Sequence, residues 1–206
     1  MNNLQQQICS VTKELQPFYH KGAFQDIFCW SDLYDLLNNT PFINYERFNV
    51  IGGDLSPIRP ELVAEWQTDK SIIGPQRVQR YIDNYVCYLT DCSRVNKKIN
   101  DICHFLENVN KISCDAHIFF SVKNMQTTKD GFGMHFDQSH NLIIQIEGKT
   151  QFTVEDKFDI TLEPGDCVYA PAGVWHKAVS LDNRLSISFP MNPNHETLQE
   201  RTWLCM

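Results

Sequence analysis

Short runs of β-branched and aromatic residues, separated by turn-forming residues, dominate the sequence from about residue 116 onward. Six such runs span residues 116–122, 141–147, 150–154, 158–162, 166–170 and 184–189. The segments EGK, EDK, EPGD, PAG and LDN divide most of them. Closely spaced strands of this kind must bury one face, and a sandwich or a closed barrel is the usual solution. The second half of the chain is therefore predicted to be mainly β.

The first half of the chain has helical patterning instead. The clearest helix is predicted over 93–109, where Val95, Ile99, Ile102, Cys103 and Leu106 share one face. This apolar face needs a partner, and the following sheet is the expected one. The predicted organisation has three parts. A mostly helical region over 1–112 packs on the barrel, a catalytic core follows over 113–192, and a tail covers 193–206.

Composition and charge exclude several classes of protein. The formal net charge is −7, which argues against a nucleic-acid partner because such proteins usually present a basic face. The sequence has no apolar run of the roughly 18–20 residues that cross a bilayer, so no membrane partner is expected. The N-terminal residues lack the features of a signal peptide. None of the eight cysteines forms a CxxC pair, which favours thiols in a reducing, cytoplasmic setting.

Two short motifs suggest a metal site. The segment GMHFDQSH contains His135 and Asp137, two residues apart at the start of a predicted strand. In extended backbone, residues i and i+2 project from one face, so both side chains can reach one ion. The segment LEPGDCVYAPAGVWHKA supplies a third candidate, because Gly165, Pro171 and His176 follow the spacing G-x5-P-x4-H. Its glycines and prolines predict turns that present His176.

Two imidazoles and one carboxylate form a ligand set that holds a metal on three positions and leaves three open. This mixed ligation favours Fe(II) over a closed structural zinc site. We therefore predict that His135, Asp137 and His176 are metal ligands and catalytic residues. His140 has the opposite parity and is interpreted as a rim residue or a neighbour of the ligands. His117 is interpreted as a core or pocket histidine.

These motifs resemble those of the JmjC-type 2-oxoglutarate oxygenases, most closely the cupin-4 or ribosomal-oxygenase branch. The matching segments are HFDQSHNLIIQIEGKTQF and LEPGDCVYAPAGVWH, together with the preceding strand AHIFFSV. The resemblance implies a double-stranded β-helix of the cupin or jelly-roll type, with a helical N-terminal annex. It also implies Fe(II), 2-oxoglutarate and O2, and hydroxylation of a substrate with succinate and CO2 as coproducts.

The anchor for 2-oxoglutarate departs from the family pattern. Family members usually carry Lys or Arg at the position that matches Thr150, where the cation pairs with the far carboxylate of 2-oxoglutarate. Here the basic residue is Lys149, which a regular strand would direct to the opposite face unless a β-bulge re-aims it. The alternative is Arg184 with Ser186, which resembles the arginine-x-serine pair of other branches. Both alternatives stay open, and Thr150 is expected to contribute a hydroxyl to the same pocket.

Two rival functions also fit the sequence. The first is a metal-dependent cupin enzyme that does not use 2-oxoglutarate, which the lack of a basic residue at position 150 favours. The second is a cupin that binds a ligand without turnover, which the complete ligand set disfavours. By resemblance, the expected partner is a peptide or protein substrate. Homodimer formation is left open.

Overall fold

The computed structural model describes residues 3–39, 43–44, 46–51, 57–58, 75–122 and 132–192. In these ranges, helices α1 to α4 span Asn3–Glu14, Trp30–Asn38, Pro75–Asn84 and Lys97–Asn110. Strands β1 to β5 span Phe18–His20, Phe48–Ile51, Pro57–Ile58, Val86–Leu89 and His117–Ser121. Strands β6 to β11 span His140–Glu147, Thr150–Val154, Phe158–Leu162, Cys167–Ala170, His176–Ser180 and Arg184–Met191. The tail predicted over 193–206 lies outside the described residues.

The strands form two antiparallel sheets. The larger sheet has eight strands in the order β1-β9-β6-β11-β5-β4-β2-β3, and the smaller has three in the order β10-β7-β8. Apolar side chains of both sheets pack in one cluster, in which Ile143 and Val168 of the large sheet meet Phe152 and Leu162 of the small one. Two facing antiparallel sheets around a shared interior match the predicted double-stranded β-helix.

The central strands of the large sheet present different chemistry on their two faces. Side chains alternate along a strand, and Ile118, Leu142 and Ile187 point into the main core that the helices cover. The opposite face of β5, β6 and β11 lines a cavity between the sheets, to which His117, Asn141, Arg184 and Ser188 contribute. The site described below therefore uses the face that the helices leave uncovered.

The N-terminal region contributes both helices and strands. Helix α4 buries Ile99, Cys103 and Leu106, as its predicted apolar face requires. However, β1 pairs with β9, and β4 pairs with both β2 and β5, so strands from this region extend the large sheet at both ends. The sequence analysis did not predict these strands, because runs as short as Val86–Leu89 carry no resolvable alternation.

A tight turn ties two parts of the barrel together. Gly148 joins β6 to β7 with φ of +73°, and a Cβ placed there would lie 1.6 Å from the carbonyl oxygen of Asn183. Only glycine accommodates both the conformation and the close approach. The turn is therefore held directly against the residue that precedes β11.

The cysteines and the helices bear on two predictions that were made from composition. None of the seven cysteines in the described ranges forms a disulfide. Among the same residues, no helix combines the length and the apolar character needed to cross a bilayer.

Candidate metal centre

The backbone brings two of the three predicted ligands face to face. His135 forms an isolated antiparallel bridge with His176, the first residue of β10, which also pairs with Val154 of β7. The His135 amide donates to the His176 carbonyl at 3.0 Å, and the His176 amide donates to the His135 carbonyl at 2.7 Å. The spacing of the two imidazoles therefore depends on the main chain as well as on side-chain rotamers.

His135, Asp137 and His176 each offer one donor atom, and these atoms all lie within 4.8 Å of one another. Asp137 Oδ1 is 3.8 Å from His135 Nε2, and Asp137 Oδ2 is 3.5 Å from His176 Nε2. Ligand bonds of 2.0–2.2 Å at right angles would place neighbouring donor atoms about 3 Å apart. A small contraction of this cluster would therefore accommodate a divalent ion.

Both imidazoles are oriented by backbone carbonyls. His135 Nδ1 lies 3.0 Å from the carbonyl oxygen of Gly133, and His176 Nδ1 lies 2.9 Å from that of Val174. A carbonyl only accepts, so each Nδ1 carries a proton, and each Nε2 is the nitrogen that faces the other candidate ligands. Such contacts are the usual means of fixing the tautomer and the angle of a metal-binding histidine.

The Asp137 carboxylate is held in its charged form. Burial alone would raise the pKa of Asp137, but a hydrogen bond with His176 and favourable charge interactions with His176, His135 and His117 outweigh it. The pKa therefore lies below its ordinary value. Asn141 Nδ2 also donates to Asp137 Oδ2 at 2.7 Å. With a metal ion in place, the cluster would present two imidazole nitrogens and one carboxylate oxygen, which is the set that Fe(II) accepts.

His140 lies beside the centre but supports it differently. Its Nδ1 accepts a hydrogen bond from the Ala172 amide at 3.0 Å, and burial lowers the pKa of His140. A neutral imidazole is required for this contact, because a protonated Nδ1 cannot accept. The Gly173 amide also donates to the Asp137 carbonyl at 2.9 Å. These two bonds hold the turn before His176 against the segment that contains the other two ligands.

The three donor residues open into a cavity of about 280 Å³ between the sheets. Aromatic rings form one wall. Tyr88 stacks on Phe119 with ring centroids 5.0 Å apart, and Phe132 packs edge-on against Tyr88 at 6.0 Å. Phe132 also lies 5.3 Å from the His135 ring. His117 lines the same cavity, as the sequence analysis expected for a pocket histidine.

Arg184 also lines this cavity as a buried cation. It is 6% exposed, its Nε donates to Ser186 Oγ at 2.9 Å, and its guanidinium lies 5.4 Å from the centre of the Phe119 ring. Burial lowers the pKa of Arg184 from 12.5 to about 10, so it remains charged near neutral pH. No carboxylate among the described residues lies within ion-pair distance of it. A buried cation without an internal anion favours an anionic ligand.

Hydroxyl groups extend from Arg184 to the small sheet. Ser121 pairs with Arg184 across β5 and β11, and its Oγ lies 3.1 Å from Ser180 Oγ on β10. Ser180 in turn pairs with Thr150 on β7. Thr150 is 1% exposed, and its Oγ1 has no hydrogen-bond partner. The sequence analysis missed Ser121 and Ser180, although each shares strand parity with a cavity-lining residue.

Lys149 lies away from this group of residues. Its side chain is half exposed, and its Nζ contacts Glu163 Oε1 at 2.8 Å on the outside of the protein. Strand β7 begins at Thr150 with a regular register, so no bulge turns Lys149 inward. Of the two cations that the sequence left open as anchors, the structure brings Arg184 into the cavity and leaves Lys149 outside it.

An exposed apolar rim flanks the metal ligands. Phe136 and Trp175 are 49% and 43% exposed, and their rings meet edge to face with centroids 5.1 Å apart. Met134 is also exposed. Strand alternation explains this arrangement, because each of these residues is a chain neighbour of an inward-facing ligand.

Comparison with known proteins points to the same region of the chain. Residues 123–187 match the model of the Cupin domain. This stretch is similar to a cupin domain. It contains all three donor residues as well as Thr150 and Arg184, so every predicted site residue lies within it.

The chain is similar to a bifunctional lysine-specific demethylase and histidyl-hydroxylase, NO66, from Branchiostoma floridae. The identity is 30% over 106 residues, which is 50% of this chain and 16% of that protein. Among solved structures, the ribosomal oxygenase YcfD from Escherichia coli with cobalt and succinic acid matches with a TM-score of 0.61. The identity is 19%, over 87% of this chain and 49% of that one.

A structure of the same oxygenase with cobalt and 2-oxoglutarate has a TM-score of 0.59 at 19% identity, with the same coverage of both chains. This chain therefore spans about half the length of the solved oxygenase and less than a fifth of the curated relative. These matches confirm the predicted double-stranded β-helix and the predicted resemblance to the ribosomal-oxygenase branch.

Proposed function

We propose that this protein is an Fe(II)- and 2-oxoglutarate-dependent oxygenase that hydroxylates a side chain of a peptide or protein. The observation that carries the proposal is the pairing of two sites in one cavity. A histidine–aspartate–histidine cluster lies within the same cavity as Arg184, a buried cation with no carboxylate partner among the described residues. A dicarboxylate that chelates a metal at one end requires this combination.

The residues present fit both groups. His135, Asp137 and His176 would hold the metal through Nε2, one carboxylate oxygen and Nε2. Arg184 would bind the far carboxylate of the cosubstrate, because a guanidinium suits a carboxylate in geometry and charge. The partnerless hydroxyl of Thr150 would donate to the same carboxylate. When bound, Fe(II) would activate O2, and 2-oxoglutarate would supply two electrons as it is oxidised to succinate and CO2, so that one oxygen atom of O2 enters succinate and the other a C–H bond of the substrate.

The protein's own contribution is to position the reactants and exclude water. The lowered pKa of Asp137 keeps its carboxylate ionised, so this ligand needs to lose no proton before the metal binds. The stacked rings of Tyr88 and Phe119 present an apolar wall that keeps water from the reacting bond. Arg184 fixes the cosubstrate at the end remote from the chemistry.

The charge of the cavity bears on the target side chain. Once Asp137 serves the metal and Arg184 serves the cosubstrate, the described lining contains no other Asp, Glu, Lys or Arg. The charges of the metal and Arg184 are then balanced by Asp137 and the two carboxylates of 2-oxoglutarate, so no net negative charge remains in the described lining to bind a cationic target. An uncharged target side chain therefore fits better. Of the two activities in the name of NO66, histidine hydroxylation suits such a cavity better than lysine demethylation.

Anaerobic titration of the metal-free protein tests the proposal. We expect Fe(II) followed by 2-oxoglutarate to produce a visible charge-transfer band, because a chelating 2-oxo acid accepts electron density from ferrous iron. Asp137→Ala should abolish the band by removing a metal ligand. Arg184→Gln should raise the concentration of 2-oxoglutarate needed to produce it, and Lys149→Ala should leave that concentration unchanged.

The same titration distinguishes the rival functions. Metal binding without a band would favour a cupin enzyme that does not use 2-oxoglutarate. A folded protein that binds neither Fe(II) nor Co(II) would contradict the metal centre itself and favour a binding function without turnover.

A further inference from the structure

Asn141 connects the acidic ligand to the last strand of the barrel. It lies on β6, is 4% exposed, and faces the cavity. Its Nδ2 donates to Asp137 Oδ2 at 2.7 Å and to the Ser139 carbonyl at 3.2 Å. Its Oδ1 accepts a hydrogen bond from Ser188 Oγ on β11 at 3.2 Å. Contacts at both ends of the amide define its orientation.

Asp137 is the ligand that most needs such support. Its side chain is 39% exposed, against 28% for His135 and 6% for His176. Each imidazole is oriented by a backbone carbonyl through Nδ1, and the carboxylate needs a corresponding contact at an oxygen that the metal leaves free. Rotation about its terminal bond is soft. Among the described residues, Asn141 is the buried amide that donates a hydrogen bond to this carboxylate.

We propose that Asn141 is a positioning residue that sets metal affinity by holding the Asp137 carboxylate at the angle the ion requires. Ser188 completes this arrangement, since its hydrogen bond to the amide oxygen holds Asn141 against β11, the strand that also carries Arg184. The inference rests on the proposed metal centre. Loss of a partner that orients a metal ligand typically weakens metal binding 10–100-fold, and we expect an effect of that size here.

Binding of Co(II) alone provides the test, because its visible absorption reports both affinity and ligand geometry without turnover. Asn141→Leu keeps the approximate volume and removes the donor. Asn141→Thr keeps a β-compatible polar side chain that is too short to bridge to Asp137. Both variants should bind Co(II) about 10–100-fold more weakly and with an altered spectrum. The matched control is Asn100→Leu on helix α4, which removes an amide contact to the Ser93 carbonyl and should leave Co(II) binding unchanged.

A double-mutant cycle separates positioning from a general structural role. If Asn141 acts through Asp137, then Asn141→Thr should cause no further loss in the Asp137→Ala background. Wild-type Co(II) affinity and spectrum in folded Asn141→Thr would overturn the inference. So would an equal loss in both backgrounds, or a lower melting temperature of the metal-free protein without any change in Co(II) affinity. If Asp137→Ala itself binds Co(II) normally, the proposed metal centre fails, and the role of Asn141 fails with it.

Discussion

Without cosubstrate, the Arg184→Met variant should be more stable than wild type. With cosubstrate, it should be less stable than wild type. Burial lowers the pKa of Arg184 from 12.5 to about 10, which corresponds to a cost of about 3 kcal/mol for holding the charge in the folded state. The hydrogen bond to Ser186 and the contact with Phe119 each offset about 1 kcal/mol of it. Methionine fills a similar volume, so we expect a net gain of about 1 kcal/mol, or about 2–4 °C in melting temperature.

Cosubstrate should reverse the order of the two proteins. With Co(II) present and 2-oxoglutarate at about 100 times its dissociation constant, wild type gains about 2.7 kcal/mol. A variant that binds 100-fold more weakly gains about 0.4 kcal/mol at the same concentration. Thermal unfolding with and without 2-oxoglutarate measures both effects, and Arg184→Lys serves as the comparison that retains a charge. The reasoning is refuted if Arg184→Met melts several degrees below wild type without ligand, or if 2-oxoglutarate stabilises both proteins equally.

Three further substitutions test other parts of the site. Gly148→Ala would drive a methyl group into the Asn183 carbonyl, so we expect a loss of more than about 3 kcal/mol in denaturant unfolding; a wild-type midpoint would contradict this. Lys149→Ala removes an exposed ion pair and should leave both the melting temperature and the affinity for 2-oxoglutarate unchanged, whereas weaker binding would implicate Lys149 as the anchor. His140→Asn keeps an acceptor near the position of Nδ1 but does not titrate. Burial lowers the pKa of His140 in the folded state. The contribution of the neutral imidazole to stability is therefore complete above the ordinary pKa of 6.5 and is lost as the pH falls through the lower pKa of the folded state. His140→Asn should therefore lose less stability than wild type between pH 7 and about pH 5, and parallel pH profiles would refute this.

The ends of the β-rich segments could be predicted from local sequence. Strands β7 and β8 have the predicted bounds, Thr150–Val154 and Phe158–Leu162, because EGK, EDK and EPGD fix where each strand starts and stops. Strand β10 was not predicted. Its sequence, HKAVS, has no clear apolar alternation, and it becomes a strand through pairing with β7. Pairing across a barrel is a long-range property that short windows do not report.

The same distinction applies to the candidate site, of which one part could be predicted from local sequence and the other could not. The grouping of His135 and Asp137 follows from local parity, and the turn residues before His176 indicated the third partner. The choice between Arg184 and Lys149 did not follow locally, since it depends on which strand faces the cavity. The hydroxyl of Ser180 was equally hidden, because β10 itself was not predicted.

The row of hydroxyls between Arg184 and Thr150 also bears on where a cosubstrate anchor could lie in a site of the proposed kind. Thr150 and Arg184 lie on opposite sheets, yet Ser180 and Ser121 link them across one interior. A single positive charge is enough there, and a second one about 6 Å away would cost about 3 kcal/mol by mutual repulsion. The part of the cavity between Arg184 and Thr150 thus has room for one cation, which a residue of either sheet can supply. Paired substitutions on the two sheets could therefore move the charge while His135 and His176, held together by main-chain hydrogen bonds, stay in place.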